Sequence, residues 1–129
     1  MPIRFYIDTE QTDIFRWEFT STWTADEVMQ LHDHSNDLAA QRAPLPVYSI
    51  VDLRESAPPT VSVFSGLAMI DRNGADNWLL CVVVVERGIW LRLFKLALQT
   101  NRELRDRYRI AGSIREAYDI IRLARSQTV

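Results

Sequence analysis

Residues 79–85, Leu79-Leu80-Cys81-Val82-Val83-Val84-Val85, form an apolar run with no alternation of apolar and polar positions. A strand that is apolar at every position is buried on both faces, which a sheet with one wet face does not provide. The run therefore predicts a central strand of a mostly parallel sheet. Parallel neighbours in turn require long crossover connections, usually helices. At 129 residues the chain has the length of one such domain, able to bury roughly two thirds of its unfolded surface.

The remaining segments fit this frame. Ile3, Phe5 and Ile7 alternate with Arg4 and Tyr6, and Phe15, Trp17 and Phe19 alternate with Arg16, Glu18 and Thr20. Two period-2 strands across the polar stretch 8–13 predict an antiparallel hairpin with one buried face. Val47–Leu53 reads as a third strand and Arg109–Ala111 as a short fifth. Thr24 and Glu27 have the spacing of a capping box, with Trp23 and Val28 placed for a hydrophobic staple, so a first helix follows with Val28, Leu31, Ser35 and Leu38 on one face. A second helix is expected from Pro59-Thr60 to about Asn73-Gly74, and a third from Ile89 to about Tyr108. Ser113 and Glu116 repeat the capping spacing before a terminal helix that buries Ile114, Ala117, Ile121 and Ala124. The order ββαβαβαβα predicts a single α/β domain, residues 1–129, with the hairpin at one side of a mostly parallel sheet.

Composition narrows the function classes. The net charge is −2, from 15 basic and 17 acidic residues, so overall charge offers no footprint for nucleic acid. Cys81 is the only cysteine, which excludes an intramolecular disulfide and a cysteine-based zinc site. No run has the length of a transmembrane helix, and Met1-Pro2-Ile3-Arg4-Phe5 lacks the apolar centre of a secretion signal, so a cytoplasmic location is expected. His32 and His34 would project about 200° apart on a helix and cannot share a metal. Gly88 after the fourth strand is a lone glycine, too little for a phosphate-binding loop. No serine carries the signature of a nucleophile elbow. Neither metal nor cofactor is expected.

Three short patterns resemble the STAS domains (sulfate transporter and anti-sigma factor antagonist), the SpoIIAA-like fold. Val51-Asp52-Leu53 ends a strand, Ser65-Gly66-Leu67 lies in the following helix, and Ser113-Ile114-Arg115-Glu116-Ala117 opens the last helix. The resemblance implies a non-catalytic regulatory module that binds a protein partner. In the anti-sigma antagonists an Asp-Ser pair containing the phosphorylated serine precedes Ser-Gly, whereas this chain has Val63-Phe64. No phosphoacceptor is assigned.

Two sets of residues are candidates for a partner or ligand surface. Asp52, Arg54 and Glu55 follow the third strand, and Glu86 and Arg87 follow the fourth. If those strands are neighbours, the charges meet where open α/β sheets bind ligands, with Arg54 and Arg87 as anion donors. A solvated rim of ion pairs, each contributing about 0–1 kcal/mol, explains the same residues and is favoured. The third helix is the stronger pointer. Trp90, Leu93, Phe94, Ala97, Leu104 and Tyr108 form one stripe, and Ile89, Leu91, Leu96 and Leu98 widen the apolar arc beyond a single sheet contact. Either the helix is deeply buried, or Leu91 and Leu98 face a second surface. The function expected is a self-associating, non-catalytic STAS-like module, a homodimer or the binder of a protein partner. The alternatives are a carrier or sensor of a small apolar, lipid-like molecule, and a small enzyme using Asp52 or Glu86 as base.

Overall fold

The apolar run becomes β4 (Trp78–Val84), and in the computed structural model, which describes residues 2–58 and 76–127, it lies between two parallel neighbours. These are β3 (Val47–Ser56) and β5 (Tyr108–Ala111). β2 (Ile14–Ser21) runs parallel to β3, and β1 (Ile3–Ile7) pairs antiparallel with β2, so the five strands stand in chain order. The architecture is α/β with a mostly parallel sheet and an N-terminal hairpin. Every residue from Leu80 to Val85 is buried, which is why the run tolerates no polar side chain.

Strand parity divides the core. Trp17, Phe19, Leu53, Cys81 and Val83 point to the first face, where they pack with Trp23, with Val28 of α1 (Ala25–Arg42) and with Trp90 of α2 (Ile89–Thr100). The indoles of Trp23 and Trp90 stack at 5.9 Å and 9°. Their N–H groups are satisfied together at the end of β3, Trp23 donating to Ser56 Oγ at 2.7 Å and Trp90 to the Ala57 carbonyl at 3.0 Å. On the second face Tyr48, Ile50, Val82 and Val84 pack against Ala117 and Ile121 of α4 (Ile114–Gln127).

Local signals explain the helix boundaries. Thr24 Oγ1 accepts from the Glu27 N–H at 3.2 Å, and Glu27 accepts from the Thr24 N–H at 3.1 Å, completing the capping box. Trp23 and Val28 are both buried in the first core, as a staple requires. At α4 the box is wider than the spacing suggested: Ser113 Oγ caps the Glu116 N–H, but Glu116 accepts from Gly112 rather than Ser113. Gly88 opens α2 with φ +95°, a conformation that L side chains rarely adopt, so its role is to turn the chain.

Three expectations change. The third helix does not run to Tyr108. It stops at Thr100, because Asn101 adopts an extended backbone and its side chain caps the Glu103 and Leu104 N–H groups, starting the separate α3 (Arg102–Arg107). Tyr108 therefore begins β5 instead of closing a helical stripe. On α1 the buried face is Val28, His32, Ser35 and Ala39, with Leu31 and Leu38 only half-buried; His32 is core and His34 is exposed. The helix expected at 59–74, with Ser65-Gly66-Leu67, lies outside the described residues.

Ile121 is fully buried against β3 and β4, whereas Leu123 on the same helix is 62% exposed. Ile121→Ala should lower the unfolding free energy by about 2–5 kcal/mol. Leu123→Ala should stay within about 0.5 kcal/mol of the parent. Urea titration of both variants checks this; equal losses would place α4 differently on the sheet.

Candidate functional site

Parallel β3 and β4 do bring their charged ends together. Arg54 Nε and Nη2 donate to the two Asp52 carboxylate oxygens at 3.0 and 2.9 Å, and Arg54 Nη1 lies 3.9 Å from Glu86. Burial pushes the Asp52 carboxyl up, but the Arg54 side chain, the Arg54 N–H and the Arg16 charge together hold it below the usual aspartate value. Both oxygens are engaged, so Asp52 is a weak proton acceptor. Glu55 adds only its charge beside Arg54. Arg87 is exposed and forms no ion pair among the described residues. Three of the five expected charges therefore meet, and they satisfy one another.

A larger polar cluster lies on the second face, where β1 and β2 extend beyond α4. Arg16 alternates with the buried Phe15 and Trp17, so its side chain emerges there with only 11% exposure. It donates to the Tyr118 hydroxyl at 2.8 Å, lies 3.5 Å from Glu18 and 3.9 Å from Asp8, and sits over the rings of Tyr6 and Tyr118. Arg16 Nε is buried with no hydrogen-bond partner among the described residues. The Tyr118 hydroxyl in turn donates to Asp8 Oδ2, while the N–H groups of Glu10 and Gln11 donate to Asp8 Oδ1. Tyr6 donates to Glu18 at 3.1 Å, and Arg4 reaches the same carboxylate at 3.3 Å. Three ion pairs and the tyrosine bonds thus knit loop 8–13, both hairpin strands and α4.

Beside this cluster an open groove of about 680 Å³ runs between the loop and α4, lined by polar groups that include Asp8, Glu10, Arg115, Tyr118, Asp119 and Arg122. Arg122 pairs with Asp119 at 3.1 Å and Asp8 is saturated by its donors, so the groove offers few unengaged groups. Among the described residues no group of three or more His, Cys, Asp or Glu side chains is placed to hold a metal ion.

Sequence reasoning did not find this cluster. Arg16 and Glu18 were visible as the polar positions of an alternating strand, but Tyr118, which bonds to both Arg16 and Asp8, lies more than 100 residues from either. The second candidate surface is placed differently. On α2 only Trp90 is buried. Leu91 packs half-buried against the first core, Leu98 is half-buried, and the exposed apolar residues of the helix are Ile89 at 49% and Leu96 at 57%. No family model matches the chain, and neither the curated proteins nor the solved structures contain a match to it.

The Asp8–Tyr118 bond carries a pH signature. Burial raises Asp8, but the bonds from Tyr118, Gln11 and Glu10 and the Arg16 charge outweigh it, so the carboxyl ionises at lower pH folded than unfolded. Its contribution is present above the unfolded aspartate value, near about 3.9, and is lost as pH falls through the folded one. Burial and the bond to Asp8 raise Tyr118, so its contribution is present below the unfolded tyrosine value and lost as pH rises through the folded one. Asp8→Asn should flatten the acid limb of stability against pH, and Tyr118→Phe the alkaline limb. Unchanged limbs in urea midpoints measured from pH 3 to 11 would show that the pair does not couple folding to protonation.

Proposed function

We propose that this protein is a non-catalytic STAS-like interaction module whose docking element is α2. The single observation that carries the proposal is the contrast between composition and burial in that helix. Eight of its twelve residues are apolar, yet only Trp90 is buried. Burying a leucine or isoleucine contributes about 1.5–3 kcal/mol, so leaving Ile89 and Leu96 in water forfeits stability that a partner recovers on binding. The order of the five strands is compatible with the STAS resemblance, although β3 continues past Val51-Asp52-Leu53 to Ser56.

The charged rim supports a binding role over a catalytic one. A general base needs an available lone pair and a pKa near the working pH. Asp52 is held low and gripped by Arg54 on both oxygens, and Glu86 is a 62% exposed side chain. The groove beside α4 is lined mainly by polar and charged groups, which does not favour a carrier of apolar molecules.

Self-association is the simplest form of docking, because a two-fold contact presents the same stripe from each copy. Light scattering coupled to size exclusion should show mass rising with concentration, and Leu96→Glu should return it to that of one chain. A strict monomer at every concentration would remove the homodimer and require a different partner for α2.

A further inference from the structure

The charge around α2 is distributed unlike that of the rest of the chain. Between residues 87 and 109 stand Arg87, Arg92, Lys95, Arg102, Arg105, Arg107 and Arg109, against only Glu103 and Asp106. The segment carries a net charge of +5 in a chain whose total is −2. All but Arg107 of these seven cations belong to exposed residues.

Fold and sequence hold this charge in one place. Trp90, Leu91 and Phe94 pack on the first core, whereas Ile89 and Leu96, seven residues apart and so on one flank of α2, stay exposed. Arg92 and Lys95 occupy the adjoining stripe. Arg105 of α3 donates to the carbonyls of Leu98 and Gln99 at 3.3 and 3.1 Å, so it caps the end of α2 and fixes the next cations beside it.

We propose that the outer flank of α2, with α3, is a docking surface for an anionic lipid bilayer, on which the chain rests without spanning it. The proposal rests on the reading of α2 as the docking element and names lipid as its occupant. Exposed apolar side chains set among cations match an interface of acyl chains beneath anionic headgroups, where the apolar residues insert shallowly and the basic ones meet phosphate. An acidic protein or a nucleic acid would account for the cations, but leaves Ile89 and Leu96 unexplained. The twelve residues of α2 rise about 18 Å, too short for a hydrocarbon core of about 30 Å. Among the described residues no helix is long and apolar enough to cross a membrane.

Co-sedimentation of the intact protein with phosphatidylglycerol–phosphatidylcholine vesicles tests this, with pure phosphatidylcholine vesicles and duplex DNA as the other arms. Binding is expected on the anionic vesicles, weakened by salt, and absent from the neutral ones. Neutralising Arg92→Gln with Lys95→Gln should weaken it about twenty-five-fold, since each cation near such a surface contributes about five-fold. Ile89→Gln with Leu96→Gln should weaken it at least about ten-fold while circular dichroism stays unchanged. Equal binding to neutral vesicles overturns the proposal, as does binding that ignores the apolar pair and follows only the cations, which duplex DNA would then share. If the vesicles are ignored but Leu96→Glu still changes the mass in solution, the lipid proposal falls and α2 remains the docking element. If neither responds, both fall.

Discussion

The central strands must exclude water on both faces, and among the described residues one helix, α4, covers the second face. Ala117 and Ile121 press on Ile50, Val82 and Val84, which accounts for the β3–β5 half of the sheet. Arg125 fastens the far end of the helix by donating to both Asp13 oxygens at 3.0 and 2.6 Å and to Gln11 at 2.7 Å. One helix is too narrow for five strands. The β1–β2 half is therefore built from side chains that withstand partial hydration: Arg4, Tyr6, Arg16 and Glu18. Their pairing keeps Arg16, nearly buried, from becoming an isolated charge, whose desolvation would cost several kcal/mol.

The first face follows a different physical logic. It is aromatic, with Phe5, Trp17, Phe19, Trp23, Trp90 and Phe94 in tilted or stacked contact from the hairpin to α2. The indole N–H groups of Trp23 and Trp90 end on Ser56 and Ala57, so the chain leaving β3 is tied to the start of α2. This anchor is confined to the first turn. Beyond it α2 leans on the core through half-buried side chains, and both Ile89 at its start and Leu96 farther along stay outside. The same arrangement that gives the helix a fixed start leaves one flank exposed.

Local chemistry made much of the fold legible in the sequence. The unbroken run at Leu79–Val85 specified a doubly buried strand, and the alternations around Phe5 and Trp17 specified a hairpin. Thr24 and Glu27 marked a helix start that the structure reproduces bond for bond. The error in the third helix has an equally local cause, because Asn101 is a tolerable helix residue by spacing yet prefers to cap. The charged rim was half legible. Asp52, Arg54 and Glu86 could be foreseen to meet once β3 and β4 were neighbours, but their mutual saturation depended on side-chain geometry.

The class of the sheet follows from residue order alone, because a β-branched run without polar positions has no stable place except between two covered faces. The helix starts are likewise local, since their capping bonds reach only three or four residues. Tertiary structure alone decided which polar groups meet. Asp8, Arg16 and Tyr118 come from a loop, a strand and the last helix, and only the seating of α4 on the second face brings them within bonding distance. It alone decided, too, that Ile89 and Leu96 stay in water, because a helix with apolar residues on most of its circumference can bury only the side it turns to the sheet.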